Sequence, residues 1–223
     1  MVKLKLLKAD LHIHTKYSLD CNTSLEEIIG CCQERGINCI AISDHGTIEG
    51  ALKMQKIAPF PVIIAEEILT PYGEIMGMFL TEGMPSGLSV EETIARIRAQ
   101  SGLVVIPHPF DRFRPSALDS EILADLVAQK QIDAIEVFNS RTPLYRSSNK
   151  AGIFARKYGI PGTAGSDAHT PYEVGNAYME MPEFSGRDDF LESLARGKII
   201  GCRTNPFTHL HSVWARLKSN LSY

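Results

Sequence analysis

Histidine and acidic residues recur in this chain at spacings that suit metal binding. The first pair, His12 and His14, lies one residue apart at the end of an apolar run. Residues i and i+2 of a strand point to the same face, so both imidazoles would converge where the chain leaves the sheet. That point could hold a cation, although an isolated H-x-H pair can equally be a hydrogen-bonded structural feature.

Similar residues follow the other predicted strands, and their number exceeds the three or four ligands of one catalytic zinc. At least two metal ions are therefore expected, with a carboxylate such as Glu66 bridging them. Imidazole and carboxylate ligands without cysteine suit Zn²⁺, Mn²⁺ or Fe²⁺ better than Ca²⁺. Glu67 would point away on a regular strand, and Asp44 either binds a metal or orients a ligand imidazole. The candidates are His12, His14, Asp20, Asp44, His45, Glu66, Glu67, His108, Glu136, Asp167 and His169.

Two metals at such a site would acidify a shared water towards neutral pH and so supply a hydroxide nucleophile. No competing motif is present: the chain has no G-x-S-x-G elbow, no P-loop and no dinucleotide-binding glycine fingerprint. The pattern therefore predicts metal-assisted hydrolysis.

The elements that must position these residues alternate between short apolar runs and amphipathic stretches. This alternation predicts a parallel sheet with crossover helices, either a barrel or an open doubly wound sheet. In a barrel, the C-terminal strand ends meet on one face, which would gather the candidates in one pocket. Strands are predicted over 4–13, 38–42, 61–69, 74–80, 103–107, 134–138, 160–164 and 198–202. Helices are predicted over 24–35, 47–57, 89–100, 119–130, 148–158, 187–196 and 211–220.

Composition limits the class of protein. At 223 residues the chain is expected to form a single domain, 1–223, with 205–223 a possible C-terminal helical extension. A net charge of −3 makes extended nucleic-acid binding unfavourable. The absence of a long apolar segment predicts no membrane association and a cytoplasmic location. Five cysteines without CxxC spacing predict reduced thiols.

The order of the motifs resembles the PHP (polymerase and histidinol phosphatase) family. H-x-H, a following Asp, S-D-H, a Glu, H-P and G-S-D-A-H occur in sequence from His12 to His169. The resemblance implies a distorted (β/α)7 TIM-like barrel whose two or three metal ions hydrolyse phosphoesters. By motif, it carries metal-ligand roles to His12, His14, Asp20, His45, Glu66, His108, Asp167 and His169.

The chain departs from the family pattern at one place. Many members carry a further histidine after the motif-three glutamate, whereas residues 72–79 contain none. Glu74 is the candidate to fill that position, and Glu136 is the candidate to replace a Cys or His found between the last two motifs. The number of metals, two or three, is left open.

A phosphate substrate would need positive charge beyond the metals. Arg112 and Arg114 follow the H-P motif and Arg141 follows Glu136, so these arginines are the predicted substrate clamps. Asp167 and His169 are the predicted catalytic residues, with His169 assisting proton transfer.

The leading prediction is a metal-dependent phosphoesterase, in which metal-bound hydroxide attacks the phosphorus of a small phosphorylated molecule or nucleotide. One alternative is an amidohydrolase-like enzyme that cleaves C–N bonds with a similar histidine-rich site. Another is a non-catalytic metal-binding or regulatory domain. The oligomeric state is left open.

Overall fold

The fold is an α/β barrel, seen in a computed structural model that describes residues 6–204. The strands are β1 (Leu6–Ile13), β2 (Cys39–Ile42), β3 (Val62–Thr70), β4 (Gly73–Met78), β5 (Leu103–Ile106), β6 (Ala134–Asn139), β7 (Gly162–Gly165), β8 (Ala177–Pro182) and β9 (Lys198–Gly201). The α-helices are α1 (Leu25–Arg35), α2 (Glu49–Ile57), α3 (Val90–Ala99), α4 (Ser120–Ala128), α5 (Tyr145–Tyr158) and α6 (Arg187–Ala195). The predicted extension over 205–223, with its helix at 211–220, lies outside the described residues.

The strands in this part of the chain form one sheet that curls into a nearly closed barrel, in the order β7-β6-β5-β4-β3-β2-β1-β8-β9. The first three strands are parallel to one another, and so are β5, β6 and β7. β4 runs antiparallel to both of its neighbours, β3 and β5. The predicted distorted TIM-like barrel is confirmed, and its distortion lies chiefly at β4.

The sheet is mixed and not entirely parallel, in contrast to the prediction from the sequence. Thr70 pairs directly with Gly73, so the β3–β4 connection is a tight turn that is too short for a crossover helix. β8, which no pattern predicted, pairs antiparallel with β1 and carries β9 on its other side. Its sequence, Ala-Tyr-Met-Glu-Met-Pro, lacks the β-branched residues that mark strands.

The barrel closes where β1 meets the segment that follows β7. His14 N–H donates to Ala168 O at 3.0 Å, and Asp167 N–H donates to His12 O at 2.7 Å. Gly165 allows this approach, because a Cβ atom there would lie 2.3 Å from Cβ of His12. We call this contact between β1 and residues 165–168 the seam.

Small and apolar side chains, including one from each of β1 to β7, fill the interior. They include Leu11, Ala41, Ala65, Met78, Val105, Ala134 and Ala164. Two further apolar clusters lie between the sheet and the helices, one under α1 and α2 and the other under α3 to α5. Together these packed layers make the barrel a rigid support for its C-terminal face.

The helices begin and end close to the predicted residues. Ser24 and Glu27 form the predicted capping box at the start of α1, and Gly36 ends that helix with a left-handed φ of 68°. Ser89 caps α3, whereas the Glu92 carboxylate accepts a hydrogen bond from Arg96. No helix within residues 6–204 is long and apolar enough to cross a membrane. The cysteines, all in this range, form no disulfide.

Candidate metal centre

A β-bulge in β1 directs His12 and His14 into the mouth of the barrel. The pairing of β1 with β2 shifts register between Asp10 and Ile13. Within this stretch Leu11 packs in the barrel interior, whereas Ile13, two residues later, packs under the helices. The bulge therefore gives the interior side to the two histidines, both of which are buried.

Two other candidates occupy an unusual backbone conformation. His108 has a φ of 31° and Asp167 a φ of 55°, the left-handed region that non-glycine residues seldom adopt. Each such residue costs about 1–3 kcal/mol and persists where surrounding contacts hold it. Here the His108 amide donates to Oε2 of Glu136 at 2.7 Å, and the Asp167 amide donates to His12 O across the seam. Both side chains lie in the cluster, where His108 contacts Glu67 and Asp167 contacts His14.

Glu67 lies at the centre of the cluster. Its Oε2 atom is 3.3 Å from Nε2 of His12 and 3.3 Å from Nε2 of His14. Its Oε1 atom is 2.9 Å from Nε2 of His108. Glu67 therefore lies between the imidazoles of the cluster, whereas the sequence predicted its neighbour Glu66 for that place.

Glu66 faces the opposite side of β3, so the structure reverses the predicted placement of the two glutamates. Oε2 of Glu66 accepts a hydrogen bond from the Met84 amide at 2.9 Å. Ile63 and Ala65 pack in the barrel interior. Strand alternation from these two residues places Glu67, and not Glu66, on the inner face.

The reversed β4 brings a second carboxylate to the mouth. Because β4 begins where β3 ends, Glu74 lies close to the C-terminal ends of the parallel strands. Its Oε1 atom is 3.6 Å from Nδ1 of His45, and its Oε2 atom is 3.4 Å from Nε2 of His108. Glu74 thus occupies the region in which the family histidine is missing.

Asp20 joins the cluster from the loop after β1. Its Oδ2 atom lies 3.2 Å from Nε2 of His169 and 3.4 Å from Nε2 of His45. Nδ1 of His169 lies 2.9 Å from the backbone oxygen of Asp167. A hydrogen bond donated there leaves Nε2 as the atom that faces Asp20.

Three overlapping groups of potential metal ligands result within the described residues. In each group the ligand atoms lie within 4.8 Å of one another. The groups share His14 and His45, so they form one continuous centre. They are His14, Asp20, His45 and His169; His12, His14 and Asp167; and His45, Glu67 and Glu74.

Buried atoms without hydrogen-bond partners show that divalent cations fit this centre. They include Oε2 of Glu67 and Oδ1 of Asp167, two carboxylate oxygens that face imidazole nitrogens. Nε2 of His12 and Nε2 of His14 face each other at 3.1 Å. An unpaired buried carboxylate oxygen is costly, and a cation shared with imidazole removes that cost. The donor set of nitrogen and oxygen suits Zn²⁺, Mn²⁺ or Fe²⁺.

Glu136 lies behind the centre and is not in these groups, in contrast to its predicted ligand role. Its Oε1 atom is 3.1 Å from Nδ1 of His12, and its Oε2 atom accepts from the His108 amide and the Asn139 side chain. A carboxylate on the outer nitrogen of a ligand imidazole fixes the tautomer and the ring orientation. Glu136 therefore positions His12.

Two more buried carboxylates support the loops around the centre. Asp44 accepts hydrogen bonds from the amide and hydroxyl of Thr15, at 2.6 and 2.7 Å, and belongs to none of the three ligand groups. Asp10, which no motif singled out, accepts from the amides of Ser166 and Gly175, each at 2.8 Å. An acidic residue inside the apolar run before His12 is the sequence signal for this role.

The imidazoles of the centre differ in basicity. Burial opposes protonation of His14, but the carboxylates of Asp167 and Glu67 outweigh it and raise the pKa of His14 to about 9. Against the same burial, Glu67 and Asp167 hold the pKa of His12 well above its usual value. Burial and the positive charge of His14 lower the pKa of His169 to about 3, despite Asp20. His14 therefore binds a proton far more readily than His169.

The three predicted arginine clamps lie in different surroundings. Arg114 forms an ion pair with the carboxylate of Asp167, at the edge of the centre. Arg141 is buried, with Nε 3.4 Å from Oε1 of Glu173, whose other oxygen accepts from the His169 amide. Arg112 is exposed and lines an adjacent cavity.

The barrel and its histidine–carboxylate cluster define an α/β-barrel protein with a candidate multinuclear metal site. The PHP domain model matches residues 10–59, and the PHP-associated model matches residues 146–199. The chain belongs to the PHP family, as its motif order predicts.

Two relatives come from Methanocaldococcus jannaschii. Uncharacterized protein MJ1587 is 42% identical over 147 residues, which cover 60% of this chain and 82% of that protein. Uncharacterized protein MJ0417 is 37% identical over 183 residues, which cover 80% of this chain and 72% of that protein. Neither name states a reaction.

Solved structures share the fold at low sequence identity. A two-domain protein from Bacteroides vulgatus, described as containing a predicted PHP-like metal-dependent phosphoesterase, has a TM-score of 0.69 and 18% identity over 89% of this chain and 66% of that one. PsfC from Pseudomonas syringae has a TM-score of 0.67 and 14% identity, over 96% and 99%. An amidohydrolase from Chromobacterium violaceum, with bound sulfate and no metal, has a TM-score of 0.64 and 18% identity, over 86% and 97%.

Proposed function

We propose that this protein is a metal-dependent phosphoesterase that hydrolyses a phosphoester of a small molecule or nucleotide. The observation that carries the proposal is the ion pair between Arg114 and Asp167. It places a guanidinium group at the edge of a histidine–carboxylate cluster, next to a potential metal ligand. A guanidinium fork binds phosphoryl oxygens bidentately, whereas the neutral carbonyl of an amide offers it no charge.

The residues of the centre have distinct proposed roles. Divalent cations, when bound, acidify water and neutralise charge on phosphoryl oxygens. Arg114 would bind a non-bridging oxygen while still contacting Asp167. Glu136 would hold the tautomer of His12, because its carboxylate accepts from Nδ1 and leaves Nε2 facing inward. His169, with Nε2 towards Asp20, is placed to bind a cation or to accept a proton.

A substrate panel tests the proposal. The full chain is loaded in turn with Mn²⁺, Zn²⁺ and Fe²⁺ and assayed with an aryl phosphate, nucleoside monophosphates and cyclic amides. We expect phosphate release, and a fall in kcat/KM on the order of a hundredfold or more for Asp167→Asn and for His12→Ala. Glu49→Gln, an exposed change on α2, is the control and should keep wild-type turnover. Wild-type turnover in the Asp167 variant would contradict the proposal.

A second candidate reaction is hydrolysis at carbon. The neighbour described as an amidohydrolase supports it, because that protein shares the barrel. Turnover of cyclic amides without turnover of any phosphate ester would favour this reaction. Stoichiometric metal with no turnover of either class would instead favour a metal-binding or regulatory domain.

A further inference from the structure

A cavity opens beside the metal centre, between the loops that follow β5 and β6. Its volume is about 560 Å³, within the range of roughly 300–1,000 Å³ that is typical of small-molecule sites. Phe110, Asp111, Arg112 and Arg114 of the β5 loop line it, together with Leu144 and the first turns of α5. This cavity is separate from the packed cluster of metal ligands.

Positive side chains from two segments of the chain line this cavity. Arg112 and Arg114 come from the β5 loop, and Arg146 and Lys150 come from α5. Nζ of Lys150 lies 4.0 Å from the ring centroid of Phe110, so an aromatic face holds the ammonium group without neutralising it. Four cationic side chains that line one cavity make it a candidate anion site.

The two acidic residues of the cavity bind backbone amides. Oδ1 of Asp111 accepts from the Phe113 amide, and Oδ1 of Asp119 accepts from the first amides of α4. The ion pairs formed within residues 6–204 include none of Arg112, Arg146 and Lys150. The positive charges of these three side chains are therefore available to a ligand.

Arg114 connects the cavity with the metal centre. It lines the cavity and also forms the ion pair with Asp167. The β5 loop carries His108 at one end and the cavity residues from Phe110 onward at the other, joined by the hydrogen bond from the Asp111 amide to His108 O. A molecule whose phosphoryl group lies at the metals could therefore extend into the cavity past Arg114.

We propose that this cavity is a subsite for a second phosphate group of the substrate, bound by Arg112, Arg146 and Lys150. This inference rests on the proposed phosphoesterase function and narrows its substrate class to molecules that carry two phosphates. Guanidinium and ammonium groups bind phosphate oxygens by charge-assisted hydrogen bonds. Three such groups line this one cavity. A neutral leaving group would leave these charges unpaired.

The first test compares substrates on the metal-loaded full chain. Alkanediol bisphosphates with two to six carbons are assayed beside the monophosphates of the same length. At the best length, we expect kcat/KM for the bisphosphate to exceed that for the monophosphate by about tenfold or more, chiefly through KM. Arg146→Ala and Lys150→Ala should each reduce this ratio severalfold. Lys157→Ala, which removes the same charge from the last turn of α5, should leave the ratio unchanged.

The second test measures binding without turnover. Inorganic phosphate is titrated into the chelator-treated full chain, with ³¹P NMR or calorimetry as the readout. The Arg146→Ala/Lys150→Ala double variant should bind phosphate more weakly than the wild type, by about tenfold or more. Lys157→Ala should bind phosphate as well as the wild type does. This test decides the subsite even if no phosphoester is hydrolysed, which would remove only the proposed function.

Either test can overturn the proposal that the cavity is a phosphate subsite. An unchanged bisphosphate-to-monophosphate ratio in both single variants would do so, as would phosphate binding that is indifferent to the double substitution. A phosphorylated carboxylate of equal length that outperforms the bisphosphate would contradict the assignment of the second group as phosphate. All three substituted side chains are exposed, so the variants should fold; circular dichroism checks this.

Discussion

Nδ1 of His12 lies 3.1 Å from Oε1 of Glu136. The proton of this contact lies on the side of the ring away from the cluster, so Nε2 faces Glu67 and Asp167. A carboxylate 124 positions away in the chain thus sets which nitrogen of His12 a cation can use.

Glu136→Gln should lower metal affinity by about 10–100-fold, the usual effect of removing such a support. The amide is neutral and presents either oxygen or nitrogen to His12, so the imidazole loses its fixed tautomer. Metal titration with a competing chelator measures the affinity. Glu180→Gln, on β8, is the control. Wild-type affinity in the Glu136 variant would show that His12 keeps its orientation by other contacts.

Glu67→Gln and Glu66→Gln form a matched pair on one strand. The first change removes the charge that faces four histidines, so we expect the affinity for metal to fall on the order of a hundredfold or more. The second should keep the metal, because an amide oxygen still accepts from the Met84 amide. Metal content after dialysis separates the two. Equal losses would place both carboxylates in the centre.

Metal binding should release protons and strengthen as the pH rises from 7 to 9. The raised pKa of His14, about 9, means that this ring carries a proton at neutral pH in the metal-free protein, and a cation must displace it. Affinity should therefore rise by up to about tenfold per pH unit for each displaced proton. His169, with its lowered pKa of about 3, should contribute none. Calorimetry in buffers of different ionisation enthalpy counts the protons; a count of zero contradicts the prediction.

Gly165→Ala should destabilise the fold and weaken metal binding together. The new Cβ would lie 2.3 Å from Cβ of His12 and 2.7 Å from its backbone nitrogen, so the seam must open. Overpacking of this kind costs about 1–3 kcal/mol. Gly30→Ala on α1 is the control, since its Cβ meets nothing within 4 Å and should be neutral or slightly stabilising. Denaturant unfolding measures both, and equal stabilities would refute the seam contact.

The sequence predicted the position of most of the centre because strand ends and helix caps are local signals. His12, Asp20, His45 and Asp167 all lie where the strand-end rule expects them. The capping box at Ser24 and the glycine at 36 likewise act within a few residues. Such features need no knowledge of the rest of the chain.

The features that the sequence did not predict depend on non-local pairing. The choice between Glu66 and Glu67 depends on which face of β3 lines the interior, and a shift of one residue inverts it. Glu136 contacts His12 because β6 and β1 approach each other across the barrel. The reversal of β4 follows from a turn too tight for a helix, a tertiary choice that periodicity alone does not encode.

The seam joins two parts of the chain that both carry candidate metal ligands, so closure of the barrel also brings those ligands together. Asp10 and Ser166, which it joins, are 156 positions apart, so the seam is a contact of very long range that carries loop-closure entropy. His12 and His14 belong to one end of this loop, and Asp167 and His169 to the other. A cation bound by residues of both ends would slow the opening of the barrel. The lifetime of the folded chain would then depend on the supply of metal ions.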